Sequence, residues 1–248
     1  MHAGARIGTA GWSIPKLYAE EFPAAGTHLQ RYARVFNAVE INSSFYRHHK
    51  PQTYARWAAS VPDGFRFAVK VLRDITHTHK LVGVTQIFDR FLAEVGALGD
   101  RLGPLLVQLP PSLRYSANAG KFFALVRDRF QGDVVCEPRH ASWFTLAATE
   151  TLERYHIARV AADPARVPEA GVPGGWLGLT YRRLHGSPRI YYSKYEAGFI
   201  DALAQDIAPN TSSSAPWCIF DNTALGEATG DALELLRRLT AYGSDTRG

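Results

Sequence analysis

Eight short runs rich in β-branched and aromatic residues alternate with segments whose apolar residues recur at intervals of three and four, and this alternation limits the architecture more than any other feature of the chain. The β-rich runs are RIGT (6–9), AVEIN (38–42), RFAVK (66–70), PLLVQL (104–109), DVVCE (133–137), IARVAAD (157–163), WLGLTYRRLH (176–185) and WCIFDN (217–222). The helix-like segments are THLQRYARVF, TYARWAAS, IFDRFLAEVGALG, ANAGKFFALVRDRF, TLAATETLERY, YEAGFIDALAQDI and ATGDALELLRRL. Alternation on this scale in 248 residues predicts a TIM-type (β/α)8 barrel, a fold of typically ~250 residues. A doubly wound open sheet is the alternative, but neither GxGxxG nor GxxxxGK[ST] follows the first strand. The pattern breaks at DPARVPEAGVPGG (163–175), whose three prolines predict a long surface loop and an irregular sixth β/α unit. PNTSSSAP (209–216) reads as a polar loop; residues 1–243 are predicted to form one barrel domain and 244–248 a frayed tail.

Other classes are disfavoured by simple counts. No run of about 18 apolar residues is present to cross a bilayer, and the first residues lack the apolar stretch of a secretory signal, which predicts a cytoplasmic protein that does not engage a membrane. Cys136 and Cys218 stand singly in apolar runs with no CxxC spacing and read as buried thiols. The net charge is +5, and 22 of the 28 basic residues are arginine. Arginine suits planar anions, so the bias fits a small anionic molecule or a nucleic acid as partner; a GC-rich coding bias accounts for it equally well.

Alternate side chains of a barrel strand point to the helices and to the interior, so in VEIN the residues Val39 and Ile41 should face helices while Glu40 and Asn42 face inward. Charged or amide groups recur at the other strand ends: Lys70, Gln108, Glu137 with Arg139 and His140, Asp163, the one-sided series Tyr181, Arg183 and His185, and Asp221 with Asn222. The C-terminal strand ends of such a barrel surround the active-site mouth, so these residues are predicted to converge. Burying several ions without good partners costs several kcal/mol each, which makes stability a poor reason for the set. The competing reading is a network in which Glu40, Glu137 and Asp163 merely pair with Lys70, Arg139 and Arg183.

GTAGWS (8–13), VEINSSFYR (39–47), FAVK (67–70), ITH (75–77), GPLLVQLPPS (103–112), EPRHASW (137–143), RLHG (183–186) and FDNT (220–223) together resemble the YecE-like family called domain of unknown function 72. The resemblance spans the chain from near residue 6 to near residue 235 and implies a TIM-type barrel without implying a particular activity. Asp231 departs from it, because relatives tend to carry Asn there.

Three cations (Lys70, Arg139, Arg183), neutral donors and acceptors (Asn42, Gln108, Asn222) and three acids (Glu40, Glu137, Asp163) suit a substrate that is both anionic and hydroxyl-rich. The expected activity is of the hydrolase or lyase type on a nucleotide, a nucleic-acid end or a sugar phosphate. Glu137 is the expected base, His185 or His140 the proton donor, and Glu40 and Asp163 are further acids. Trp12, Tyr46 and Trp143 either stack on a ring of the substrate or pack as lid residues; Arg47, His77, Tyr181 and Asp221 complete the expected binding set. His77 and His79, in THTHK, are expected in a loop. No cofactor is expected; a divalent metal on Glu40, Glu137, Asp163, His140 and His185 is the alternative, opposed by the three cations. Two alternatives remain: sugar chemistry by the Glu40 and Glu137 carboxyl pair, and a non-catalytic nucleotide or nucleic-acid binding protein.

Overall fold

The computed structural model describes residues 4–208 and 215–245. Its strands are β1 (Arg6–Thr9), β2 (Ala38–Ile41), β3 (Arg66–Lys70), β4 (Leu102–Gln108), β5 (Val134–Glu137), β6 (Ala158–Arg159), β7 (Ala161–Asp163), β8 (Gly174–Gly175), β9 (Tyr181–Leu184) and β10 (Trp217–Phe220). The α-helices are α1 (His28–Tyr32), α2 (Ser43–Tyr46), α3 (Pro51–Ala59), α4 (Thr85–Val95), α5 (Ala117–Arg129), α6 (Leu146–Arg154), α7 (Ala197–Ile207) and α8 (Glu227–Asp245). The fold is mixed α/β with two sheets, ordered β1-β10-β9-β7 and β2-β3-β4-β5-β6-β8. All ladders are parallel except that between β6 and β8. Among the described residues no helix is long and apolar enough to cross a membrane.

Several expectations need correction. The segment 163–175 is not wholly loop: Pro168–Gly171 forms a 3-10 turn, and β8 adds antiparallel to β6. THTHK does not lie in an open loop either, because Asp74–Thr78 is a π-helical turn. Helix α8 runs on to Asp245, past residue 244 where the tail was expected to begin. Residues 209–214 of the expected polar loop, and 246–248 of the tail, lie outside the described residues.

The two sheets meet at two seams. At one, the chain itself crosses: the Val160 N–H donates to the Cys136 carbonyl, continuing the pairing of β6 with β5, and the next three residues pair as β7 with β9. At the other, β1 and β2 share one parallel bridge, Ala10 with Glu40, and side chains take over the remaining backbone groups. Tyr32, fully buried, accepts from the Thr9 N–H at 2.8 Å and donates to the Ala38 carbonyl at 3.2 Å. Asn37 accepts from the Ile7 N–H at 2.9 Å and donates to the Ala5 carbonyl at 2.7 Å. The strands approach so closely here that a Cβ on Gly8 would sit 2.0 Å from the Ala38 carbonyl oxygen, which requires glycine.

Burial follows the strand alternation. Val39, Ile41, Val69, Leu105, Val107, Cys136, Cys218 and Phe220 belong to the larger core, packed with helix residues such as Phe88, Phe122, Ile200 and Leu235. Their strand neighbours Ala38, Ala68, Leu106, Val135, Ala158, Tyr181, Trp217 and Ile219 form a second apolar cluster drawn from both sheets. Both cysteines are free and buried. Because Tyr32 satisfies two buried backbone groups that lack a ladder partner, Tyr32→Phe should lower stability by about 1–3 kcal/mol in urea denaturation, whereas a loss of about 0.3 kcal/mol or less would show that the seam does not need the hydroxyl.

Candidate functional site at the strand ends

The second apolar cluster is capped by a layer of ions and amides at the C-terminal strand ends. Small residues on the floor, Ala38, Ala68 and Ala158, leave room for the ring of Tyr181, which stacks on Trp217 with centroids 5.7 Å apart. Above the floor, Arg183 is wholly enclosed. Its Nε and Nη2 donate to the two oxygens of Glu40 at 3.0 and 2.7 Å, Nη1 to Glu137 Oε2 at 2.7 Å, and Nη2 also to Asp221 Oδ2 at 2.9 Å. Tyr181 donates its hydroxyl to Glu40 Oε2 at 2.9 Å. One guanidinium from β9 therefore ties together carboxylates that lie within β2, end β5 and follow β10.

His185 closes the ring of contacts. Its Nε2 lies 2.9 Å from Glu137 Oε1 and its Nδ1 3.0 Å from Asp221 Oδ2, so each ring nitrogen has a carboxylate to receive a proton's hydrogen bond. Burial would lower the His185 pKa, but the Glu137 charge and the two hydrogen bonds outweigh it and raise it above the ordinary value, and a carboxylate at each ring nitrogen favours the imidazolium. Arg139 donates to the same Glu137 oxygen from Nε at 3.2 Å and from Nη2 at 3.0 Å. Its Nη2 is also 3.5 Å from His185 Nε2; with the imidazole protonated both atoms are donors, and the contact is a shared approach to Glu137. Burial would raise the Glu137 pKa, yet Arg183, His185 and Arg139 prevail and hold it well below the usual carboxylate range. Asp221 is held down likewise, by Arg183 and then His185. A carboxylate stabilised to this degree is a weak base, so the geometry argues against the base role expected for Glu137 and suits it to orienting His185.

Lys70 stands apart. It ends β3 with its side chain buried, 7% exposed, its Nζ lies 4.3 Å from the centroid of the Phe45 ring, and none of the three carboxylates hydrogen-bonds it, each being occupied by Arg183, His185, Arg139, Tyr181 or Asn42. Burial, and then the Arg183 charge, bring its pKa down to about 8 against the partial opposition of Glu40, Asp221 and Glu137. His77 reports the surrounding field: burial, followed by Lys70, Arg73 and Arg139, pushes its imidazole down to about 4. The Gln108 amide at the end of β4 carries no hydrogen bond among the described residues, and Asn42 Oδ1 is a buried acceptor without a partner while its Nδ2 reaches Asp221 at 3.4 Å. Beside the network, under the segment after β7, lies a cavity of about 210 Å³ lined by Glu137, Arg139, His185, Arg166, Pro164 and Ile190 among others.

Convergence is therefore seen for Glu40, Glu137, Arg183, His185, Arg139, Asp221, Tyr181 and Asn42, with Lys70, Gln108 and His77 along its edge. Other expected members lie elsewhere. Asp163 accepts from the Tyr195 hydroxyl at 2.8 Å instead of meeting the carboxylates. His140 caps the 3-10 turn Ala141–Phe144, accepting from the Ser142 N–H at 3.1 Å. Asn222 turns its Nδ2 to the Ser193 carbonyl and to Asp231, and leaves Oδ1 buried and unpartnered. Trp143 is core, 1% exposed with its indole N–H on the Leu113 carbonyl, and Trp12 packs edge-on against Trp57 and Phe67, so the packing alternative holds for both. Tyr46 and Arg47 are exposed and make no bond to the network. The five-residue metal set does not assemble: among the described residues no three His, Cys, Asp or Glu side chains are placed to hold an ion. Asp231 is pushed up to about 6 by burial while it accepts from Asn222 and from the Tyr195 N–H; an Asn there would accept the same two bonds without a charge.

Sequence reasoning missed Tyr191. Its backbone is left-handed, φ 72°, at a non-glycine residue; its ring meets His185 edge-on at 5.9 Å and its hydroxyl interacts with Arg139. Gly186 makes that return possible, because a Cβ there would sit 2.8 Å from the Ser193 carbonyl oxygen. The signal available was Gly186 directly after His185, with Pro188 two residues on and Tyr191 and Tyr192 beyond, which marks a turn beside the site.

These features define a mixed α/β protein with parallel strands whose ends carry a buried cluster of paired ions. The model of the family described as protein of unknown function DUF72 matches residues 6–247, and the chain belongs to that family. The UPF0759 protein YecE of Escherichia coli strain K12 is 36% identical over 104 residues, which is 42% of this chain and 37% of that protein, so the match spans little more than a third of YecE. The UPF0759 protein YunF of Bacillus subtilis strain 168 is 25% identical over 208 residues, covering 77% of this chain and 73% of that one. A solved DUF72 family protein from Enterococcus faecalis V583 superposes with a TM-score of 0.78 at 20% identity over 95% of both chains. One from Thermotoga maritima MSB8 gives 0.74 at 21% identity, over 95% of this chain and 99% of that one. These two likenesses concern the fold.

Removal of Arg183 would leave three buried carboxylates without their common partner, so Arg183→Met should cost about 3–5 kcal/mol in urea denaturation at pH 7. Glu137 and Asp221 have depressed values in the folded state, so their contribution is complete above the unfolded values of 4.5 and 3.8 and is lost as pH falls below these toward the lower folded-state values. The gap between wild type and variant should therefore narrow toward pH 3; a gap independent of pH would mean that the carboxylates are not what Arg183 stabilises.

Proposed function

We propose that this protein is an enzyme of the hydrolase or lyase type that takes a phosphate-bearing, hydroxyl-rich molecule, such as a nucleotide, a nucleic-acid end or a sugar phosphate, at the C-terminal mouth of a closed (β/α)8 barrel. Closure is supported by the Ala10 to Glu40 bridge, by the passage of the chain through Val160 from one sheet to the other, and by the apolar cluster that both sheets share. The antiparallel β8 would be the irregularity at the sixth unit.

The observation that carries the reading is a charge count. Glu40, Glu137 and Asp221 are matched by Arg183, Arg139 and the His185 imidazolium, and Lys70 adds a fourth cation without a partner. A mouth that is neutral below and carries one free ammonium above is electrostatically incomplete without an anion. The depressed His77 imidazole supports the same sign of potential. Asn42 Oδ1 and the Gln108 amide supply acceptors and donors for hydroxyl groups. His185, held protonated between two carboxylates, has the form of a proton donor, and Glu137 and Asp221 fix its ring.

Sugar chemistry by paired carboxyls has less support. It requires one carboxyl kept protonated near neutral pH, whereas Glu137 is held ionised and shares Arg183 with Glu40. A pure binding role would use the same anion site and is separated by turnover alone.

Calorimetry with ribose 5-phosphate and with ribose tests the proposal. The phosphorylated sugar should bind and the neutral one should not; Lys70→Met should weaken binding about tenfold or more, the worth of one charged hydrogen bond, and Lys121→Met on the exposed face of α5 should leave it unchanged. Equal binding of ribose, or no effect of Lys70→Met, would contradict the assignment. Turnover of the bound phosphorylated sugar by the wild type, lost in a His185→Gln variant that still binds, would mark the protein as an enzyme.

A further inference from the structure

Lys70, the cation of the anion site that has no carboxylate partner, is also placed for covalent chemistry. Lysines that only clamp a phosphate act as hydrated point charges on flexible stems. The Lys70 side chain is buried instead, and its backbone is locked by Ser44, whose hydroxyl lies 2.7 Å from the Lys70 carbonyl and 2.9 Å from that of Ile41. The Phe45 ring supports Nζ on one side without offering a hydrogen-bond acceptor in the plane of the amine. The carboxylates within its field, Glu40, Glu137 and Asp221, are all engaged by Arg183, which is itself the cation that acts on Lys70. The amine thus has no hydrogen-bonded counter-ion among the described residues, and burial with Arg183 favours its neutral form against Phe45 and the charges of Glu40, Asp221 and Glu137.

We propose that Lys70 is a catalytic nucleophile that forms an imine with the carbonyl group of a phosphorylated aldehyde or ketone bearing hydroxyl groups next to that carbonyl. This rests on the anion-site reading above and narrows it to lyase-type chemistry. In the step, the Nζ lone pair adds to the carbonyl carbon, giving a carbinolamine. The carbonyl oxygen then leaves as water with the two hydrogens of the amine, and a carbon–nitrogen double bond remains to Lys70. No oxidant or reductant is consumed. The protonated imine draws electrons from the neighbouring carbon, which is how a lyase weakens a C–C or C–H bond beside a carbonyl. The pKa of about 8 supports the role, because an appreciable fraction of the amine is neutral at physiological pH. Asn42 and Gln108, neutral amides at the ends of β2 and β4, are left to meet the hydroxyl groups.

Borohydride trapping tests this on the unaltered protein. The probes are dihydroxyacetone phosphate, with unphosphorylated dihydroxyacetone as a control, followed by sodium borohydride and peptide mapping by mass spectrometry. The chain has six lysines, and the expected result is a reduced adduct on Lys70 in at least tenfold excess over Lys16, Lys50, Lys80, Lys121 or Lys194. Its rate should rise with pH through about 8, and glycerol 3-phosphate, which has no carbonyl, should suppress it by competition. Adducts spread evenly over the lysines, or none at Lys70, would overturn the imine. If calorimetry still detects glycerol 3-phosphate under those conditions, the anion site stands without the imine. If dihydroxyacetone labels Lys70 as well as its phosphate does and glycerol 3-phosphate does not bind, the imine stands and the phosphate reading falls.

Discussion

A fully enclosed guanidinium is the constraint on which the rest of the molecule turns. Moving an ion of this kind out of water costs several kcal/mol, and only good geometry with several partners offsets it. Arg183 meets the condition with four hydrogen bonds to three carboxylates. Those carboxylates belong to segments widely separated in sequence, so β2, the end of β5 and the end of β10 must all come within reach of β9 before the charge is tolerable. The apolar floor works to the same end, because it draws side chains from both sheets into one cluster in which Tyr181 stacks on Trp217.

The network is also a rigid scaffold for what it leaves unmatched. Every carboxylate oxygen aimed into the bowl is committed to a donor, and His185 is fixed through both ring nitrogens. A site fixed in this way does not reorganise when a ligand arrives, which is the property that makes electrostatic stabilisation effective. Lys70 and the neutral amides of Asn42 and Gln108 are the groups with capacity to spare, and they lie along one side of the network. On another side, the turn through Gly186 and the left-handed Tyr191 brings an aromatic ring against His185. Strain of this kind persists where the surroundings over-determine it, and here those surroundings are Arg139 and His185 themselves.

Much of this was legible from residue order because the strand period of two is strict. Glu40 between Val39 and Ile41, and Arg183 between Tyr181 and His185, have no alternative to sharing a face once the strands form, and polar residues at strand ends announced the layer they now occupy. What was not legible depended on tertiary partners. The sequence of Trp143 does not say that the Leu113 carbonyl will take its N–H, nor that of Asp163 that Tyr195 will claim its oxygen. The seam between β1 and β2, where Tyr32 and Asn37 stand in for ladder bonds, has no local signature either, since both residues lie outside the strands they join. Glu137 illustrates a subtler gap: its position was readable, but its chemistry depends on three cations arriving at once, which turns an expected base into a fixed counter-ion.

The account stands or falls on the charge state of His185. Should the imidazole be neutral, the three carboxylates outnumber their two arginines, and Lys70 becomes their counter-ion instead of a spare charge. Nitrogen-15 NMR of the histidine side chains across pH 5 to 9 reads this directly, with a His185→Gln variant to assign the resonance. A carboxylate at each ring nitrogen predicts that both nitrogens carry protons at pH 7, and the midpoint should lie above the ordinary 6.5. A single-proton tautomer at pH 7, with a midpoint at or below 6.5, would contradict it.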